Sequence, residues 1–356
     1  MKTLNHILLN RKTKTDEIKY QQILKKNKPI LFNQIKIQLK DYIKLKHPQQ
    51  ELTPKEYNQK IKEKLKGTTL EKYGNWVYYP WTNRFVHILP EDEFKTVRTI
   101  RNRYKITAQE EETLSTKKVG IIGLSVGQSV ALALAMERIG GEIRIADFDT
   151  LELSNLNRIR TGIHNLGLAK TTVVVREIAE IDPYIKVTCF NEGITENNLN
   201  EFIGTNKKKL DLLIDECDSI DIKFRCREAA KKEQIPVLMD TSDRGMLDIE
   251  RFDLEPERAL FHGLIDKSMN NSIKKGLNTK QKFEIVSAIL DMQNISNRMS
   301  ESFTEIGKTI TTWPQLASSV ILGGAITAIV GRKILLGEKI KSGRYYVDVD
   351  KIIDRV

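Results

Sequence analysis

Between residues 117 and 240 short apolar runs alternate with helical segments, and this rhythm limits the fold more than any other feature of the chain. "KVGIIG", "EIRIAD", "IKVTCF", "LDLLIDE" and "PVLMD" read as strands. "QSVALALAMERIG", "LAKTTVVVREIAEID", "ENNLNEFIG" and "IDIKFRCREAAKKEQ" read as helices between them. Strands that are apolar along their whole length are buried on both faces, which requires helices on both sides of a parallel sheet. The expected fold class is α/β: Rossmann-like, doubly wound, with a mostly parallel sheet. "MLDIERFDL" is a further candidate strand. Residues 266–312 are polar and helical in tendency, with "DKSMNNSIKKGLNTKQK" reading as a mobile loop. A helical tail from Pro314 and a last strand, "RYYVDVDKII", complete the order.

The residues before this alternation have another character. Residues 1–66 hold 17 Lys/Arg against 6 Asp/Glu, so they carry the whole net charge of +11 and the rest of the chain is balanced. "PILFNQIKIQLKDYIKLKH" mixes apolar residues with lysines as a helix with one packed face does. "TPKEYNQKIKEKLKG" has Thr53 at a cap, Pro54 at the first helical position and Gly67 beyond the end. "NWVYYPWTNRFVHIL" reads as a short hairpin whose first strand Pro80 demotes to an edge. The expected organisation is a basic helical region with a hairpin over residues 1–100 and an α/β domain over 101–356. A localised basic surface attracts nucleic acid, an acidic partner or an anionic membrane. A solvated lysine-rich helical face is the plainer reading, since no aromatics are interleaved and no nucleic-acid motif is present.

Cys189, Cys217 and Cys226 form no C-x-x-C pair, so neither a disulfide scaffold nor a cysteine-based zinc site is expected, and a reducing cytoplasm is the simplest setting. "MKTLNHILLNRKTK" lacks the long apolar run and cleavage site of a signal peptide. "SSVILGGAITAIV", residues 318–330, is too short to span a bilayer and reads as a buried helix.

The candidate chemistry starts at "IIGLSVGQS", residues 121–129. Gly123-Leu124-Ser125-Val126-Gly127 fits the G-x-S-x-G elbow of a serine hydrolase, and equally the glycine turn between strand and helix of a nucleotide-binding fold. The next strand ends in "ADFDTLELSNLNRIRTG", where Asp147 stands where an acidic residue meets ribose hydroxyls. Asp147, Asp149, Ser154, Asn155, Asn157 and Arg158 fall within 12 positions at the carboxyl end of that strand. Lys170 opens the next helix, and Asp218 follows "LDLLIDE" at the same sheet edge. Carboxylates with Arg and Lys at such an edge suit a triphosphate with magnesium better than a hydride carrier.

The glycine turn, "DFDTLELSNLNR", Lys170 and "DECDS" together resemble the E1-like adenylyltransferases of the ThiF/MoeB/HesA type, related to ubiquitin-activating enzymes. The likeness covers about residues 98–265 and the helix near 314–336. It implies ATP and Mg²⁺, no zinc, and formation of an acyl adenylate with release of pyrophosphate. Gly123, Ser125 and Gly127 would form the nucleotide turn, with Ser125 a small stand-in for glycine. Asp147 would bind ribose, Asp149 and Asp218 would handle magnesium, and Asn155, Arg158 and Lys170 would hold the triphosphate. An arginine ahead of the first strand, from Arg98, Arg101 and Arg103 and best matched by Arg103, would reach into a neighbouring subunit, which implies a homodimer. The substrate would be a carboxylate, such as a protein or peptide C-terminus or a small acid, with tRNA a candidate partner of the basic region.

This chain departs from the pattern at Ser125 and Val126, where glycines are common, and at Ile159, where the family often has Gln. No cysteine follows "PVLMDTSD", so direct attack on the adenylate fits better than a thioester. Cys217 reads as a small hydrophobe beside Asp218, and Cys189 and Cys226 as core residues. His164, His262, Asp243 and Arg244 are candidate substrate contacts. Three other readings stand beside the first: a nucleotide-binding adaptor without catalysis, an NAD(P)-dependent oxidoreductase, and a serine hydrolase using Ser125, Asp240 and His262.

Overall fold

The computed structural model describes residues 5–265 and 277–353, which fall into two compact units. The first comprises residues up to Ala108 together with Ala179–Tyr184. Its sheet has the order β1 (Ile7–Leu9), β3 (Asn75–Tyr79), β4 (Arg84–Ile88), β2 (Ile30–Asn33), with β2 parallel to β4 and the other pairs antiparallel. Helix α1 (Lys14–Asn27) starts where the Thr13 side chain caps the amide of Asp16. It places Tyr20 and Ile23 against Leu9, Trp76 and Phe85. Helix α2 (Ile35–Lys46) buries Ile35, Leu39 and Ile43, a four-residue spacing that keeps one face inward. Helix α3 (Pro54–Leu65) carries the full Thr53–Glu56 capping box, and α4 (Glu91–Arg98) follows the hairpin. The lysines of α1 and α2 point to solvent.

Two expectations fail in this unit. Ile30–Asn33 is a strand rather than part of a helix: Pro29 blocks helical continuation, and β-branched and aromatic residues favour the extended chain. Strand β3 lies inside the sheet, between β1 and β4, because Pro80 falls just past it in the turn, where no ladder donor is needed.

The second unit runs from Gln109 to Ile178 and from Ile185 onward. A short helix α5, Ala108–Leu114, leads into its sheet of seven strands in the order β7 (Lys186–Phe190), β6 (Glu142–Ala146), β5 (Lys118–Ile122), β8 (Leu212–Asp215), β9 (Val237–Asp240), β10 (Met246–Glu250), β11 (Gly343–Tyr346). The first five are parallel, and β10 and β11 are antiparallel additions. The expected doubly wound, mostly parallel fold is present. Helices α6 (Gly127–Glu137), α7 (Lys170–Ile181), α8 (Leu199–Ile203) and α9 (Ile220–Lys232) provide the crossovers. From β5 the chain winds outward through β6 to β7, then returns to lay β8 on the other side of β5. The winding therefore reverses between β5 and β8, and ligands of open α/β sheets bind beyond the carboxyl ends of strands at such a reversal.

The stretch after β10 contains α10 (Thr279–Leu290), α11 (Asn297–Phe303) and α12 (Ala317–Leu335). Of the expected loop at 266–282, residues 266–276 lie outside the described residues, and the helix begins at Thr279. Helix α12 is longer than the apolar stretch suggested, and by length and composition alone it could cross a membrane. One face of it packs in the core, where Gly323, Gly324 and Gly331 are buried and a Cβ on Gly324 would stand 2.7 Å from that of Ser129 on α6, while Ile321 and Ile329 on the other face are exposed. The final segment is a short strand followed by a turn of helix α13 (Val349–Ile353), not one long strand.

Candidate active site

The glycine turn leaves β5 with Gly123 at φ +83°, and a Cβ there would lie 2.4 Å from the Glu216 carbonyl oxygen. Only glycine allows the ends of β5 and β8 to approach so closely. Gly127 opens α6 under similar pressure, since a Cβ would come 2.8 Å from the Ile121 side chain. The Asp147 carboxylate, at the end of β6, accepts the Leu124 amide at 2.7 Å and the Asp149 amide at 2.8 Å. One side chain thus holds the turn and the start of its own loop. Burial pushes its pKa up, against the pull of Lys170 and the two amides.

Residues 147–169 form a long connection with a small core of its own. Thr150 bridges Ala169, the Leu151 amide donates to Leu168, and Leu151, Ile159 and Val173 pack together. Ile159 is therefore an anchor for the loop, which gives its departure from glutamine a structural reason. Gln128 ties the loop to α6 by accepting the Arg160 amide at 2.8 Å and donating to its carbonyl at 3.0 Å. The side-chain oxygen of Asn155 accepts the Glu152 amide at 3.0 Å. Arg158 donates from Nε to Ser125 Oγ at 2.9 Å, and Lys170 pairs with Asp149 at 2.7 Å.

These residues border two adjoining cavities of about 310 and 110 Å³. The smaller is lined by Gly123, Asp147, Phe148 and Gly193. The larger takes in Asn155 and Arg158 and extends to α10 and α11. Ser125, Asp149, Lys170, Glu216, Cys217 and Asp218 border both. Asp218 keeps contact with solvent through this space. The protein around it still raises its pKa, with Asp149 adding to the rise and Lys223, Lys170 and Arg158 opposing it. Desolvation lowers the pKa of Arg158, with Asp218 acting the other way.

Glu216 and Asp240 line the larger cavity as a buried carboxylate pair that the sequence reading did not single out in that role. Glu216 Oε1 accepts the Asp240 amide at 3.1 Å, and Oε2 is buried with no protein partner among the described residues. Desolvation and the neighbouring Asp240 raise Glu216 well above the ordinary range, and burial pushes Asp240 up to about 6. Two acidic residues side by side in "DECDS", one on each face of a strand end, were the available signal. Lys223 was also missed. It lines the same cavity and pairs with Asp215 at 3.2 Å.

Other candidates are committed elsewhere. Asp243 borders the cavity, but its carboxylate accepts both the amide and the hydroxyl of Ser296 at 2.8 Å, which fixes the start of α11. Arg244 pairs with Asp348 at 2.6 Å and donates to the Asn294 carbonyl. His262 binds Asp248 at 2.9 Å and lines neither cavity, and His164 is exposed. Ser125 therefore faces an arginine rather than a histidine, and the hydrolase triad is not assembled. The Cys217 thiol lies 3.1 Å from Asp215, which with burial raises its pKa and keeps it a neutral thiol. Cys226 is fully buried, and the half-buried Cys189 is pushed up to about 11. Arg103 belongs to the first unit, where it caps a 3₁₀ turn after α4.

Among curated relatives, the chain is 45% identical over 287 residues to Uncharacterized protein MT1398 of Mycobacterium tuberculosis, covering 81% of this chain and 39% of that protein. It thus spans about two fifths of that relative's length. It is 27% identical over 186 residues to the tRNA threonylcarbamoyladenosine dehydratase of Bacillus subtilis, covering 52% of this chain and 68% of that one. A solved structure of TcdA (CsdL) has the same fold, with a TM-score of 0.50 and 17% identity over 68% of this chain and 94% of that one. The ThiF family model matches residues 98–346, a stretch that holds the glycine turn, the Asp147–Lys170 loop and the end of β8. The chain belongs to the ThiF family, the E1-like group that its motifs resemble.

Proposed function

We propose that this chain is an ATP-dependent adenylyltransferase that activates a carboxylate as its acyl adenylate. The observation that carries the reading is the junction of the two cavities, where Asp149, Lys170 and Asp218 border both, with Arg158 beside them. A nucleoside fits the smaller cavity with its ribose toward Asp147, and its phosphates then run past Ser125 to Arg158 and Lys170. Arg158 is already aimed at the turn by Ser125.

The incoming carboxylate is ionised at neutral pH, so the site needs no general base. A carboxylate oxygen bonds to the α-phosphorus, the bond from that phosphorus to the bridging oxygen breaks, and pyrophosphate leaves with the electron pair. Arg158 and Lys170 offset the charge on the transferring group, and Asn155 orients it. Lys170 must exchange Asp149 for phosphate oxygens, and both partners already face the cavity. Asp149 and Asp218 suit Mg²⁺, which takes one or two carboxylates along with phosphate oxygens and water. When bound, Mg²⁺ would neutralise phosphate charge.

Arg103 is proposed to act on the site of a second copy, making the active form a homodimer. A cytoplasmic setting accords with three free thiols. The raised pKa of Cys217 supports direct transfer from the adenylate to an outside acceptor over a thioester. The relative named as a tRNA-modifying enzyme makes tRNA one candidate acceptor, with the basic residues 1–66 as its contact.

Calorimetry with ATP, followed by carboxylate-dependent exchange of labelled pyrophosphate into ATP, tests the reading. Binding of ATP with Mg²⁺ and exchange with at least one carboxylate are expected. Binding of NAD(P) in place of ATP would overturn it, and ATP binding with no exchange for any carboxylate would leave a nucleotide-binding adaptor.

A further inference from the structure

The larger cavity has two kinds of wall. Toward β5, β6 and β8 it is charged, whereas Val286 and Leu290 on α10, Met299 and Phe303 on α11, and Trp313 beyond them make the opposite wall apolar. All five are only partly buried, so they present apolar surface to the cavity. Their placement is built in. Ile285 and Ile289 of α10 pack onto Phe224, Met239 and Phe261, which seats the helix with Val286, Ile289 and Leu290 bordering the cavity. The two hydrogen bonds from Asp243 to Ser296 pin the start of α11, and Asn157 donates to the Gln315 carbonyl at 2.7 Å beside Trp313. A site that received only a triphosphate would have no use for this wall. Apolar surface facing water is unfavourable, and ligand cavities pair such walls with a few polar groups.

We propose that this chamber selects the acyl substrate, which is a carboxylic acid bearing a bulky apolar group. The carboxylate sits at the Arg158–Lys170 end, and the apolar group lies against Leu290, Met299, Phe303 and Trp313. The proposal rests on the adenylation reading and adds its substrate class. A peptide end with a large hydrophobic last residue and a free branched or aromatic acid share this chemistry.

The test uses stable mimics of the adenylate, acyl sulfamoyl adenosines, with binding measured by calorimetry on the full chain. The acyl groups are acetyl, 4-methylpentanoyl, N-acetylglycyl, N-acetylleucyl and N-acetylphenylalanyl, and AMP serves as reference. The 4-methylpentanoyl mimic is expected to bind at least about 100-fold more tightly than the acetyl one, and the N-acetylleucyl mimic to gain as much over N-acetylglycyl. The tighter of the 4-methylpentanoyl and N-acetylleucyl mimics identifies a free acid or a peptide end as the source. In Phe303→Ala and Met299→Asp the gain should fall at least tenfold while AMP affinity stays within about twofold. Equal binding of all the mimics, with AMP bound normally, would overturn the chamber and leave adenylation standing. Failure of AMP, ATP and every mimic to bind would instead overturn the adenylation reading beneath it.

Discussion

Two clusters of charge lie close together in the second unit, made from the same residue types and put to opposite uses. In the first, Asp215, Arg227, Glu250, Asp248, His262 and Arg344 are knitted together out of water. Arg227 is fully buried, pairs with Asp215, reaches Glu250 at 2.5 Å and stacks 4.2 Å above the Phe261 ring. Asp248 meets both His262 and Arg344 at 2.9 Å. In the second, Asp149, Arg158, Lys170 and Asp218 face open cavities, with Lys170 tied to Asp149 and Arg158 to the neutral groups of Ser125, Ser154 and Asn157, contacts that an anionic ligand can replace. Asp215 and Asp218 are three residues apart and shift in opposite directions. Lys223 and Arg227 hold Asp215 down at about 2 against full burial, whereas desolvation by the surrounding cavity walls, with Asp149, holds Asp218 up though it keeps contact with solvent. The structural cluster holds its charges against one another out of water, leaving only single atoms such as Asp248 Oδ1 and Arg344 Nη2 without a partner among the described residues, and the working cluster leaves its charges able to change partners.

The sharpest way to break this contrast is to remove one member of the buried cluster. Arg227→Met leaves Glu250 buried without its cation and Asp215 with Lys223 alone, and urea unfolding should show a loss of about 3–5 kcal/mol. A loss below about 1 kcal/mol would show that the buried network contributes little. In the working cluster the expected effect moves from stability to rate. Asp218→Asn and Arg158→Ala should each slow pyrophosphate exchange by about 10²–10³, equivalent to about 2.7–4 kcal/mol, with unfolding little changed. Undiminished exchange in either variant would remove that residue from the mechanism.

The Glu216–Asp240 pair stands between the two clusters and gives a pH signature. Asp240 ionises at about 6 in the fold and at 3.8 in an ordinary setting, so the folded form keeps the proton longer. Below about pH 4 both states are protonated and nothing is lost. As pH rises through 6 stability falls by up to about 3 kcal/mol, and it levels off above that. Glu216, raised for the same reasons, extends the fall upward with the same sign. Asp240→Asn should therefore gain on the parent between pH 4 and 7 in thermal melts. A parallel pair of pH profiles would contradict this. The smallest effect is expected at Cys217, whose replacement by Ala should leave exchange within about twofold and whose alkylation at pH 7 should be slow. Rapid alkylation that abolishes exchange would restore a thiol to the mechanism.

Much of the second unit was legible because its constraints are local. Continuous apolar strands, Gly123 between two strand ends and the run from Asp147 to Arg158 each state their purpose within a dozen residues. The chamber wall was not legible. Val286, Met299 and Trp313 come from separate segments, and their direction depends on partners such as Asp243–Ser296 that lie 53 positions apart. The same holds for His262, whose nearness to Asp248 is created by the fold. In the first unit, Ile30–Phe32 looked helical because the lysines around it keep a mixed rhythm, while pairing with β4 settles the extended form. Its basic charge resists reading for another reason: solvated lysines look alike whether or not a partner comes to them.

The most direct test of the division between the clusters is carboxylate-dependent pyrophosphate exchange, counted per folded molecule, in the parent, Asp218→Asn and Arg344→Ala. Exchange is expected in the parent, lost in Asp218→Asn, and retained in Arg344→Ala despite lower stability. Exchange that persists in Asp218→Asn and disappears in folded Arg344→Ala would contradict that division.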